Sequence, residues 1–129
     1  MPAAITPDRY DADTAAAMTA GSIDGLPSYL GIRTVEVGPA TMLAELDVRP
    51  ELLNPFGTLH GGVVSALVDH VLGAVLYPVI KRGHWAATTE FKLNLLTAVR
   101  AGTVRARSTI VSLTRRTAVV QVEVDNDGR

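Results

Sequence analysis

The clearest hydrophobic pattern in the chain is the alternation from Thr41 to Arg49. Met42, Ala44, Leu46 and Val48 fall on one face, and Thr41, Glu45 and Asp47 on the other. A period of two marks a half-buried strand. Ile32 to Val37 reads as the strand before it, with Gly38-Pro39 as the turn between them. A different pattern follows. From Gly61 to about Leu76 nearly every position is apolar, which predicts a helix that needs covering on most sides, stopped by Pro78 and Gly83. Three strands come next: His84 to Ala98, Thr103 to Leu113 and Arg115 to Asp125. The last sets Ala118, Val120, Val122 and Val124 on one face. Earlier in the chain, Asp11 to Ala20 is Ala-rich with an acid at its start and predicts a short helix. Gly21 to Pro27 reads as loop, and the first ten residues, with Pro2 and Pro7, are expected to be loosely held.

This order, two strands, an apolar helix and three strands, predicts an α+β fold in which a curved antiparallel sheet wraps the helix. The other sheet face is left to solvent or to a second subunit. Composition narrows the class. A chain of 129 residues holds one domain, and 47% hydrophobic with 19% charged residues argues against disorder. A net charge of −1 supplies no pull toward nucleic acid or anionic membranes. The absence of cysteine excludes disulfides, thiolate catalysis and thiolate metal sites, and suits a cytoplasmic protein. No signal peptide pattern is present. The longest apolar stretch, Val63 to Ile80, contains Asp69, His70 and Pro78, so it reads as a core helix rather than a membrane span.

The chemistry concentrates in Asn54-Pro55-Phe56-Gly57-Thr58-Leu59-His60-Gly61-Gly62 and the helix it opens. A helix start offers unpaired N–H groups and a positive dipole end, which together stabilise an oxyanion. Asp69 stands two turns inside the helix, where burial is expected to make a carboxylate costly unless it has a task or a partner. Gly61 and Asp69 are eight positions apart, about 12 Å of rise. A catalytic group must come within roughly 3–3.5 Å of the reacting atoms. One protomer therefore cannot present both groups to one carbonyl, whereas two protomers with antiparallel helices can. Plainer readings exist for each residue. Asn54 and Gly57 could build a turn, Gly61 and Gly62 could serve close packing, and Asp69 could pair with an arginine. His60 and His70 lack a third ligand at useful spacing, so no metal is expected.

The motif Asn-x-x-Gly-x-Leu-His-Gly-Gly, followed eight residues after the first of the paired glycines by Asp, resembles the hotdog-fold acyl-CoA thioesterases of the PaaI-like, phenylacetate-degradation branch. The element order from Leu30 to Asp125 is similar too, with residues 1–29 as an N-terminal segment and 30–129 as the hotdog domain. The resemblance implies a homodimer with sheets joined edge to edge, often a homotetramer, and active sites at the subunit interface. Asn54 would orient water or thioester, and the Gly61 N–H would polarise the carbonyl with His60 in support. Asp69 would be nucleophile or general base, and Thr88, with Thr89 as the neighbouring alternative, would assist it. Leu53, Phe56, Gly62 and Val64 are candidates for the substrate pocket. Coenzyme A would arrive as part of the substrate, with no separate cofactor. Its phosphates draw attention to Arg105 and Arg107, which share one strand face, although solvated strand faces are commonly charged. Two other functions remain open, a non-catalytic acyl-CoA-binding or regulatory protein and a hotdog hydratase or dehydratase. One departure stands out: family members usually continue past Asp127-Gly128-Arg129 with one more strand, so either the sheet is one strand short or the sequence ends before that strand. Without it, backbone groups would lie unpaired at a sheet edge, with a weaker dimer or an opened acyl pocket as the expected consequence.

Overall fold

The alternation in β2 (Thr41–Asp47) becomes a buried face: Met42, Ala44 and Leu46 are each no more than 1% exposed in the computed structural model, which describes residues 2–21 and 23–129. β2 pairs antiparallel with β1 (Arg33–Gly38) on one side and β3 (Thr103–Leu113) on the other, and β3 pairs with β4 (Ala118–Asn126). The sheet order is β1-β2-β3-β4. Register sets Ala44 opposite Ala106 and Leu46 opposite Val104, so the apolar faces of both strands coincide. Bulges between Thr34 and Glu36 and between Ile110 and Ser112 interrupt the ladders, the kind of irregularity that sharpens sheet twist.

The apolar helix lies on this face as α3 (Gly61–Ala74), where it touches β2, β3 and β4. Val64, Leu67, Val68 and Val71 form its buried stripe. Turns, rather than continued helix, carry the chain from Val75 to Ile80. This antiparallel sheet around a central helix is the hotdog arrangement.

The N-terminal part departs from expectation. α1 (Ala12–Ala20) begins as its sequence indicates, with the Asp11 carboxylate accepting from the Thr14 amide at 3.1 Å. The residues before it, however, are tied down. Ile5 N–H donates to the Ile110 carbonyl, Asp11 N–H to Pro78, and the Arg9 guanidinium to Ile80. Arg82 lies 2.6 Å from Asp11; this contact, with the Thr14 amide, holds the Asp11 carboxyl well below the usual carboxylate range. A short helix, α2 (Leu26–Leu30), occupies part of the expected loop, capped by Gly31 at φ 76. Ser22, within that expected loop, lies outside the described residues.

The largest correction concerns His84 to Ala98, expected as a strand. Residues 85–98 form no strand and lie outside the sheet. A strand exists only through its neighbours' N–H and C=O groups, and the outer edge of β4 does not reach this segment. The two instead face each other across a cleft of about 1140 Å³. At the end of β4, Asn126 and Arg129 exchange both backbone hydrogen bonds, at 2.9 and 3.2 Å, across Asp127 at φ 51 and Gly128 at φ 86. That geometry is a two-residue hairpin turn, which Asp-Gly adopts readily.

Candidate functional site

The loop before α3 is built by Asn54. Its Oδ1 accepts from the amides of Phe56 at 2.9 Å and Thr58 at 3.2 Å, and its Nδ2 donates to Thr58 Oγ1 at 2.7 Å. The side chain that was expected to orient water or thioester is thus committed to the turn, with one Nδ2 hydrogen left over. Gly57 closes the loop at φ 83, a conformation that suits glycine. Leu59 N–H then bonds to Val99 and His60 N–H to Leu52, which fixes where the helix starts.

His60 caps that start. Its Nδ1 accepts from the Gly62 amide at 2.8 Å, so the neutral ring carries its proton on Nε2. Its backbone carbonyl accepts from Val63 at 2.9 Å and from Val64 at 3.4 Å. Gly61 N–H is the one amide of the first turn without an acceptor among the described residues. It stands at the positive end of the helix dipole. Both glycines also leave room for neighbouring side chains. A Cβ on Gly61 would meet Leu95 Cδ1 at 2.9 Å, and one on Gly62 would meet the His60 ring at 3.0 Å.

Asp69 corrects the expectation of burial: in the single chain it is exposed, opposite the stripe that packs on the sheet. Thr88 Oγ1 donates to its Oδ1 at 2.6 Å, which selects Thr88 over Thr89. Among the described residues Asp69 makes no ion pair with lysine or arginine. Among the described residues one carboxylate oxygen is therefore held and the other has no hydrogen-bond donor. His70 beside it is half-buried, and that burial pushes its pKa below the ordinary 6.5 despite the opposing charge of Asp69.

Two groups are thus assembled on α3, His60-Gly61-Gly62 at its start and Asp69 with Thr88 two turns on. Val64 contributes to the cleft wall together with Thr88. Leu53 pairs with Leu59 in the loop, while Phe56 is 87% exposed at its tip. Arg105 and Arg107 lie elsewhere. Their neighbours Val104, Ala106 and Ser108 face the core, which turns both arginines to the outer sheet face. There Arg105 Nε is 3.4 Å from Glu45, and Arg107 stands opposite Glu123. Arg115 and Arg116, in the β3–β4 turn, border the cleft instead. Ser65 is not among the residues expected from the motif, yet its hydroxyl donates to the Gly61 carbonyl at 2.8 Å. The available signal was a serine four residues after a helix-start glycine. No helix among the described residues is long and apolar enough to cross a membrane.

Residues 56–129 match the family described as the thioesterase superfamily. A thioesterase of known structure from Haemophilus influenzae is 30% identical and superposes with a TM-score of 0.76, over 81% of this chain and 73% of that one. A variant of the phenylacetic acid degradation protein PaaI from Thermus thermophilus is 31% identical with a TM-score of 0.74, over 82% and 90% of the two chains. The 1,4-dihydroxy-2-naphthoyl-CoA hydrolase of Listeria monocytogenes is 27% identical over 103 residues, which are 80% of this chain and 84% of that protein.

Proposed function

This chain belongs to the thioesterase superfamily and is a thioester hydrolase, and from that premise we propose that it cleaves an acyl-CoA to the free acid and coenzyme A. The observation that carries the mechanism is Asp69, exposed on α3 with one oxygen held by Thr88 at 2.6 Å and the other free. The free oxygen attacks the thioester carbonyl or takes a proton from the water that does. Attack by the carboxylate forms a C–O bond as the C–S bond breaks, leaving a mixed anhydride that water then hydrolyses to the free acid. With water as the nucleophile the new C–O bond is water's own. In both routes coenzyme A leaves as a thiol carrying a proton that the water gives up. Gly61 N–H stabilises the oxyanion that develops on the carbonyl oxygen. A thioester is electrophilic enough for these two groups to suffice without a Ser-His-Asp triad.

Gly61 and Asp69 of one chain, about 12 Å apart along the axis, serve different carbonyls. Each site is completed by a second copy whose helix runs antiparallel, so the functional unit is a two-fold dimer. The exposure of Asp69 in the single chain supports this, since its side of α3 is the one left uncovered. Incubation with a panel of aromatic, short and medium acyl-CoAs, following free thiol, tests the reading. Thiol release by the wild type, abolished in Asp69→Asn, is the expected result. Binding without release would instead identify an acyl-CoA-binding protein.

A further inference from the structure

We propose that Ser65 is a positioning residue for this hydrolysis, an inference that rests on the reading above. Its hydroxyl donates to the Gly61 carbonyl at 2.8 Å. The other end of the same peptide group, the Gly62 N–H, donates to His60 Nδ1, also at 2.8 Å. Two side chains thus grip the Gly61–Gly62 peptide plane from opposite ends. The preceding plane is gripped through the His60 carbonyl, which accepts from Val63 and Val64. Gly61 N–H belongs to that preceding plane, so both planes flanking Gly61 Cα are fixed.

Such a clamp answers a specific weakness. Two consecutive glycines at a fraying helix end have the widest backbone freedom available to a chain. An oxyanion donor acts only if it is held about 2.7–3.1 Å from where the charged oxygen will form. Helix stability does not explain the serine. Back-bonding to the i−4 carbonyl slightly disfavours a helix, and alanine is the better helix former. Ser65 therefore adds order at Gly61 at a position where alanine would suit the helix better.

The test compares Ser65→Ala and Ser65→Thr with the wild type on an acyl-CoA that the wild type hydrolyses, alongside urea unfolding. Ser65→Ala is expected to lower kcat about tenfold, in line with a weakened rather than deleted oxyanion donor, with KM within about twofold. Its unfolding midpoint stays unchanged or rises. Ser65→Thr, which keeps the hydroxyl bond to the i−4 carbonyl, restores most of kcat. Wild-type kcat in Ser65→Ala overturns the inference alone, and so does a fall in kcat matched by a fall in the midpoint. A wild type that releases no thiol from any acyl-CoA overturns the hydrolytic reading itself.

Discussion

Thr88 Oγ1 lies 2.6 Å from Asp69 Oδ1, and this bond joins α3 to a segment that has no place in the sheet. Thr88 holds the carboxylate through one oxygen, and in the proposed mechanism the second oxygen is the one that meets substrate or water. A hydrogen bond to a charged group contributes about 1.5–3 kcal/mol, or roughly 10- to 100-fold in rate if the bond persists in the transition state. Thr88→Val should lower kcat by that factor, while Thr88→Ser should stay near wild type. Steady-state kinetics on both variants checks this; full activity in Thr88→Val would remove the residue from the mechanism.

Gly61 allows a backbone donor to be deleted almost cleanly. It is the first helical residue, where proline is tolerated because its N–H has no helical partner. His60, at φ −61 and ψ 132, already has the extended conformation that a residue before proline requires. Gly61→Pro should therefore fold yet lose about 10²–10³ in kcat, the loss typical of one oxyanion donor. Gly61→Ala, which adds the Cβ but keeps the N–H, isolates the steric effect. Its Cβ meets only the end of the Leu95 side chain, so it should lose far less. Equal losses in the two variants would point to crowding rather than to the missing donor.

His70 predicts how stability depends on pH. Burial lowers its folded pKa below 6.5, so as pH falls through that value the unfolded chain takes up a proton that the folded chain refuses. This contribution is complete above the unfolded pKa and is lost as pH drops toward the folded one. Urea midpoints should therefore decline as pH falls through 6.5 toward the lower folded pKa, and His70→Phe should flatten that part of the curve. An identical slope in the variant would place its source elsewhere.

Residues 85–98 should exchange their amide hydrogens fastest. Among the described residues only the Ala86 amide of this segment finds an acceptor, the Tyr77 hydroxyl at 3.4 Å, and Trp85 and Leu96 are about nine-tenths exposed. Protection requires hydrogen-bonded, buried backbone. Exchange followed by mass spectrometry should show this segment deuterated within the dead time while β3 stays protected. Strong protection at 85–98 in a dimer would mean that the segment is covered on assembly.

Where side-chain pattern alone decides, the sequence was readable. Met42, Ala44 and Leu46 alternate because one sheet face is dry, and β3 has its expected bounds, Thr103 to Leu113. Asp69 also meets Thr88, and His60 meets Gly62, the neighbours that the family resemblance implied. Other features depend on partners distant in the chain. Trp85 to Ala98 has strand-like residues but no ladder to join, and strand propensity cannot supply one. Asn54 belongs to its own loop because Thr58 stands four residues on, a local bond that competes with any role toward substrate. Arg105 and Arg107 turn outward because their neighbours in β3 face the helix.

The central claim is that each site takes Gly61 from one chain and Asp69 from its partner. Mixing the two inactive variants Gly61→Pro and Asp69→Asn, with subunit exchange allowed, tests it most directly. A mixed dimer holds one site with both groups intact and one with neither. Random pairing of equal amounts should then restore about a quarter of wild-type activity. A mixture whose subunits have demonstrably exchanged, yet whose activity stays at the average of its two parents, would contradict the shared site.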